Sequence, residues 1–306
     1  MLTSVVKFQL WLSNFKERMQ DKTDKSRLLA FFLGLPLFIL VSLGGSFLAI
    51  LLYLTWAAVT GQQLDLKAGM LFLVIVSEIS AFLLFLIPFV KRVAKSNNGL
   101  GLGVKDFKKR MRSASTGRAW GKAVGVGVGS GLALFGLAQV VANLVALIPH
   151  ASSGSQNDLM NETTKMLSSA GTDLFTGKAA YPILSAGVVL ITVLIGPFLE
   201  ECLFRGLIGK SLFRSSVGSL TTPGASGPSR SRVVLCSLAS GLVFGVAHAQ
   251  FTGVFMPDLM SVLIPTLIGS VFSWIACRKY DSLYPTIIGH VTYNSVAMIV
   301  AIVIAL

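Results

Sequence analysis

The sequence predicts an all-α, polytopic membrane protein with about seven transmembrane helices, and three observations predict it. More than half of the 306 residues are hydrophobic (53%) and only 13% are charged, with a mean hydropathy of +0.75. A soluble domain of this size has no interior large enough to hide that much apolar surface. The apolar residues also gather into runs of roughly 20 or more, the length a helix needs to cross a bilayer. Lys and Arg cluster in alternate connecting segments, the bias that orients membrane proteins. The net charge of +13 would otherwise invite a nucleic-acid reading, but this alternation and the lack of any nucleic-acid motif argue against one.

Residues 1–27 mix basic residues with Val5, Phe8, Leu12, Phe15 and Met19 at helical spacing. They read as a cytoplasmic basic amphipathic segment lying along the membrane surface, not as a cleavable signal peptide. The first span is expected in 28–60, where Pro36 and the Gly44-Gly45 pair would bend it; a split there would raise the count to eight. The second, 68–90, carries Glu78, a lone acid expected to face a neighbouring helix. The most basic loop, 91–118, should be cytoplasmic. In the third span, 120–148, Gly121, Gly125 and Gly129 recur at four-residue intervals with Gly127 and Gly131 offset. Close helix packing explains them better than a phosphate loop, since no strand precedes them and no Gly-Lys-Ser/Thr ends them.

Residues 149–181 are polar and poor in Lys and Arg, as an external loop should be. The fourth span, 182–212, is followed by a Ser-, Gly- and Pro-rich linker, 215–232. The fifth is placed at 233–255, with Met256-Pro257-Asp258 as an external turn, the sixth at 259–277 and the seventh at 283–306. Basic segments then fall on one side, with the N-terminus cytoplasmic and the C-terminus external in a multi-pass cell-membrane protein. Three regions result: the basic segment 1–27, N-terminal helices and loops in 28–181, and a chemistry-bearing core in 182–306. Cys202, Cys236 and Cys277 lack metal spacing and read as buried small hydrophobes.

The fourth span contains Gly196-Pro197-Phe198-Leu199-Glu200-Glu201-Cys202-Leu203-Phe204-Arg205-Gly206. An acid or Arg at the centre of a spanning helix costs roughly 2.5 to 3.5 kcal/mol on insertion scales, so a helix with no duty beyond spanning would be more stable with Leu. Glu201 and Arg205 are one turn apart with the acid first, the favoured order for a pair on one face. Glu200 lies about 100° round from Glu201 and needs partners from elsewhere. His248, one turn after Phe244, and His290, one turn before Asn294, stand in later apolar segments. At about 1.5 Å per residue, Glu200 lies on the order of 15 to 20 Å from the cytoplasmic end of its span, His248 roughly 20 Å and His290 roughly 10 Å. Convergence of the three on the cytoplasmic side of the midplane is therefore permitted.

Glu200-Glu201-x-x-x-Arg205, Phe244-x-x-x-His248 and His290-x-x-x-Asn294, in that order on successive late helices, resemble the three motifs of the CPBP (Abi) family of intramembrane proteases. That family includes the type II CAAX prenyl endopeptidases and bacteriocin-processing or self-immunity proteins. Each motif alone is weak; all three together are specific, and they cover 182 to the C-terminus. The Gly99-to-Gly103 stretch matches the family's lead-in more loosely, and no motif covers the first two spans. The resemblance implies a helical core around a polar cavity open to the cytoplasm. Glu200 would activate the attacking water, with His248, His290 and Asn294 lining the site, and Glu201 and Arg205 completing the acidic motif.

The residue chemistry supports the same assignment. Amide hydrolysis needs a base for water, a group to stabilise the oxyanion and a proton for the leaving amine. Glu200 can be the base, Asn294 can donate to the oxyanion, and a His can supply the proton. Glu200, His248 and His290 also make up an open zinc set, with a water in the fourth position. Zn²⁺ therefore stays open beside the metal-free version. Glu201 with Arg205 suits a buried strut, and Phe244 a packing residue on the substrate path. Three functions compete: an endopeptidase acting on a membrane-associated peptide or protein, a non-catalytic immunity or scaffold protein of the same fold, and a proton-relaying transporter. The last would favour paired repeats, which the sequence lacks.

Overall fold

The computed structural model describes residues 22–61, 65–80, 83, 111–146, 169–210, 212–213, 230–249 and 255–305. Among them every regular element is helical, as a lipid-embedded chain requires, because a helix satisfies its backbone groups within one segment. The elements are α1 (Lys22–Thr60), α2 (Leu66–Ser80), α3 (Thr116–Ala146), α4 (Pro182–Leu190), π1 (Ile191–Ile195), α5 (Gly196–Glu200), π2 (Glu201–Gly209), α6 (Arg230–Ala247), α7 (Phe255–Ser273), π3 (Trp274–Lys279) and α8 (Tyr284–Ala305). Five helices are long and apolar enough to cross a membrane: Ile39–Thr60, Thr116–Leu144, Pro182–Gly209, Asp258–Lys279 and Tyr284–Ile304. Two shorter apolar helices, Ala68–Ser80 and Val233–Ala247, accompany them. The protein is a multi-pass membrane protein. The expected segments at 1–21, 91–110, 149–168 and 214–229 lie outside the described residues.

From α4 to π2 the chain runs as one continuous span that starts on Pro182, where the missing N–H is no loss. Just before it, the Tyr181 hydroxyl donates to Asp65 Oδ2 at 2.7 Å. Asp65 Oδ1 in turn accepts from the Ala68 N–H at 3.1 Å, capping α2. One carboxylate thereby ties the start of α2 to the entry of the fourth span. At the other end, Lys210 Nζ meets Asp281 Oδ1 at 2.7 Å, joining π2 to the connection before α8.

Small residues set how closely the helices approach. A methyl on Gly127 would lie 2.7 Å from Ile288 Cβ, and one on Gly131 would run into the Gly289 carbonyl, so these two glycines seat α3 against α8. Gly121, Gly125 and Gly129 meet nothing within 4 Å. The packing face is the offset pair and not the four-residue series. A second close approach, between α6 and α7, runs through Gly241 and Gly245, where an added methyl would strike Thr266 and, at Gly241, Ser270. Overpacking costs about 1–3 kcal/mol. Gly131→Leu is thus expected to lower the unfolding temperature in detergent, and Gly129→Leu to leave it unchanged; equal shifts would contradict this seam.

Three expectations change. Helix α1 runs unbroken through Pro36 and Gly44-Gly45, so the first segment is not split. Gly45 instead provides close contact, since a methyl there would sit 2.7 Å from Ser80 Cβ. Helix α7 begins at Phe255, so Met256-Pro257-Asp258 forms its first turn; Pro is tolerated and Asp favoured at that position. Helix α6 ends at Ala247, which leaves His248 at a helix terminus and not inside a span.

Candidate active site

Glu200 ends α5 and Glu201 begins π2. π-Helical turns are rare and concentrate at functional sites, and here they bracket the acidic pair on both sides. Glu200 Oε2 lies 3.5 Å from His248 Nε2 and 3.6 Å from His290 Nε2. The three residues expected to converge therefore do so, from α5, the end of α6 and α8. The side chains of Glu200 and His248 are 27% and 35% exposed, whereas His290 is 8% exposed. Glu200 Oε2 itself is buried and has no hydrogen-bond partner among the described residues, so the exposed part of the side chain lies away from that oxygen.

The far nitrogens fix the imidazoles. His248 Nδ1 is 2.8 Å from the Phe244 carbonyl one turn back. A carbonyl only accepts, so Nδ1 carries the hydrogen and Nε2 is turned to Glu200. The His248 N–H also caps the end of α6 on the Phe244 and Gly245 carbonyls. His290 Nδ1 is 3.1 Å from Glu201 Oε1, and the carboxylate again makes Nδ1 the donor. Both rings present Nε2 to one oxygen of Glu200.

Glu201 is the clamp beneath this pair. Its Oε1 also lies 3.2 Å from Arg205 Nη1, and both side chains are 0% exposed. Phe244 caps the guanidinium, with Arg205 Cζ 4.1 Å from the ring centroid. Phe244, expected on a substrate path, is 3% exposed and edge-on to Phe204, so it packs the ion pair. Asn294 Nδ2 donates to the Thr192 carbonyl at 2.9 Å, which occupies one of the two N–H groups that the sequence offered to an oxyanion. Glu78 stands on the face of α2 that turns toward α4, as the sequence expected. It shares a face with Val74 and Ile75, which pack with Leu184 and Val188 of α4.

Residues 182–296 match the family model described as "Type II CAAX prenyl endopeptidase Rce1-like". Residues 182–296 form an Rce1-like domain. The match agrees with the CPBP resemblance and takes in Glu200, Glu201, Arg205, Phe244, His248, His290 and Asn294. Neither a curated protein nor a solved structure matches the chain. Residues outside its bounds also pack on the Rce1-like domain: Val41 of α1 lies on the cluster of Leu203, Phe204, Leu207, Ile208 and Phe244, and Gly127 and Gly131 of α3 seat α8.

Zinc bound by one carboxylate oxygen and two imidazole nitrogens needs all three donors around one point at about 2.0–2.2 Å. In the Rce1-like domain Glu200, His248 and His290 are the right donor types. Among the described residues, however, no three His, Cys, Asp or Glu side chains close into a metal-binding group. No step below is routed through a metal. Cys202, Cys236 and Cys277 are buried together in the cluster around Leu199, where they act as small apolar groups.

Proposed function

We propose that the Rce1-like domain is an intramembrane endopeptidase that hydrolyses a peptide bond of a membrane-associated peptide or protein, with Glu200 as the base for water. The observation that supports this most is the partly exposed Glu200 side chain, whose Oε2 faces two imidazoles, each with its Nδ1 hydrogen held elsewhere. Water gives its proton to Glu200 while its oxygen bonds to the substrate carbonyl carbon. His290, held at Nδ1 by Glu201, meets the developing oxyanion through a protonated Nε2. As the C–N bond breaks, the proton taken by Glu200 passes through His248, 3.5 Å away, to the leaving nitrogen. One water is consumed, and an acid and an amine are released.

The family description points to CAAX-type substrates, in which a prenylated Cys near the C-terminus anchors the peptide to the membrane. Processing of a peptide of bacteriocin type uses the same chemistry. With the N-terminus cytoplasmic, as the basic segments direct, the site opens to the cytoplasm of a cell-membrane protein. The purified protein in liposomes, given anchored CAAX-type and unanchored peptides, is expected to cleave at least one class, with products read by mass spectrometry. Cleavage measured with and without a chelator separates the glutamate type from the zinc type: loss of activity on chelation, restored by Zn²⁺, assigns the zinc type, and unchanged activity the glutamate type. A cellular phenotype untouched by both Glu200→Ala and His248→Ala would favour the non-catalytic immunity or scaffold alternative.

A further inference from the structure

Three features meet at one backbone carbonyl two turns before Glu200. In π1 the Gly196 N–H donates to the Ile191 carbonyl, five residues back. The next donor in that pattern belongs to residue 197 and would serve the Thr192 carbonyl. Residue 197 is Pro, which has no N–H to give. A carbonyl freed within the apolar layer must find another donor. It finds one on a different helix: Asn294 Nδ2 donates to the Thr192 oxygen at 2.9 Å.

Asn294 stands one turn after His290 on α8, so this bond sets the register of α8 against the catalytic span. The same register places His290 Nε2 by Glu200 Oε2 and His290 Nδ1 by Glu201 Oε1. On its other side α8 is held by Gly127 and Gly131 of α3. We infer that Pro197, the Thr192 carbonyl and Asn294 form a positioning device, in which Pro197 opens an acceptor on the catalytic span and Asn294 closes it, fixing His290 against Glu200. Asn294 is then a positioning residue, and its contribution to rate passes through His290. The inference rests on the endopeptidase reading for its kinetic part; its structural part is tested separately.

The test is a double-mutant cycle on the full chain in liposomes, using Pro197→Ala, Asn294→Ala and the double variant. Cleavage kinetics and thermal unfolding are measured on the same four proteins. Asn294→Ala is expected to lower kcat by roughly 10–100-fold, the usual range for groups that orient a reacting side chain, with KM little changed. Pro197→Ala restores an N–H to residue 197. In that background the Asn294→Ala loss is expected to shrink several-fold, in rate and in unfolding temperature alike. Should Asn294→Ala fold only in the Pro197→Ala background, that rescue is the same result; failure to fold in both backgrounds overturns the inference. Losses that simply multiply would also overturn it, because they would mean that Asn294 acts on the substrate independently of the Thr192 carbonyl. If the wild type cleaves nothing, the endopeptidase reading has failed, and coupling in unfolding temperature still decides whether the device exists.

Discussion

Glu200→Gln is expected to reduce peptide cleavage by roughly 10²–10⁴-fold, the contribution usual for a positioned acid-base group, while the protein folds and inserts normally. Gln has nearly the same volume and keeps an oxygen toward His248 and His290, so neither the 3.5 Å nor the 3.6 Å approach becomes a void. What disappears is the ability to take a proton from water. Folding should survive because the side chain is 27% exposed and contributes little to the core. His248→Gln should also lower the rate, through loss of the proton path to the leaving nitrogen. Combining the two should cost little more than Glu200→Gln alone, since groups that act as a unit lose their effect together. Single-turnover kinetics in liposomes, with unfolding measured in parallel, provide the check.

Glu201→Gln is expected to fail differently, in stability first. Glu201 and Arg205 are both 0% exposed, so removing the carboxylate strands a guanidinium beneath Phe244 and Phe272. Breaking one side of a buried pair costs about 3–5 kcal/mol, whereas replacing both partners with apolar groups of similar size is often neutral. Glu201→Gln should therefore unfold far more readily than Glu200→Gln, although the two positions are adjacent. Glu201→Leu with Arg205→Met should recover most of the stability without recovering the rate, because His290 Nδ1 would lose its acceptor 3.1 Å away. Unfolding temperatures for the three proteins, set beside cleavage rates, separate the two effects; equal stability of Glu201→Gln and wild type would contradict them.

The acids and histidines were legible from sequence because charge in an apolar run is costly and therefore conspicuous. Glu200, His248 and His290 stood out on that ground alone, and the structure brings them together. The tertiary roles were less visible. Periodicity marked Gly121, Gly125 and Gly129, yet the seam belongs to Gly127 and Gly131, because which face of a helix turns inward depends on its neighbours. The π turns at 191–195 and 201–209 leave no compositional trace. The partnership of Asn294 with the Thr192 carbonyl depends on them, since only a five-residue pattern hands that carbonyl to Pro197. The apolar neighbours of His248 read as the interior of a span, whereas α6 ends at Ala247, one residue before it.

The central claim is that this membrane-embedded carboxylate makes water the attacking group. Single-turnover cleavage in ¹⁸O-enriched water tests it most directly, with the products and the Glu200-containing enzyme fragment weighed by mass spectrometry. One ¹⁸O in the newly formed carboxyl terminus and none on Glu200, with no labelled product from Glu200→Gln, is the result predicted. Label on the Glu200 carboxyl with an unlabelled product, or undiminished cleavage by Glu200→Gln, would contradict it.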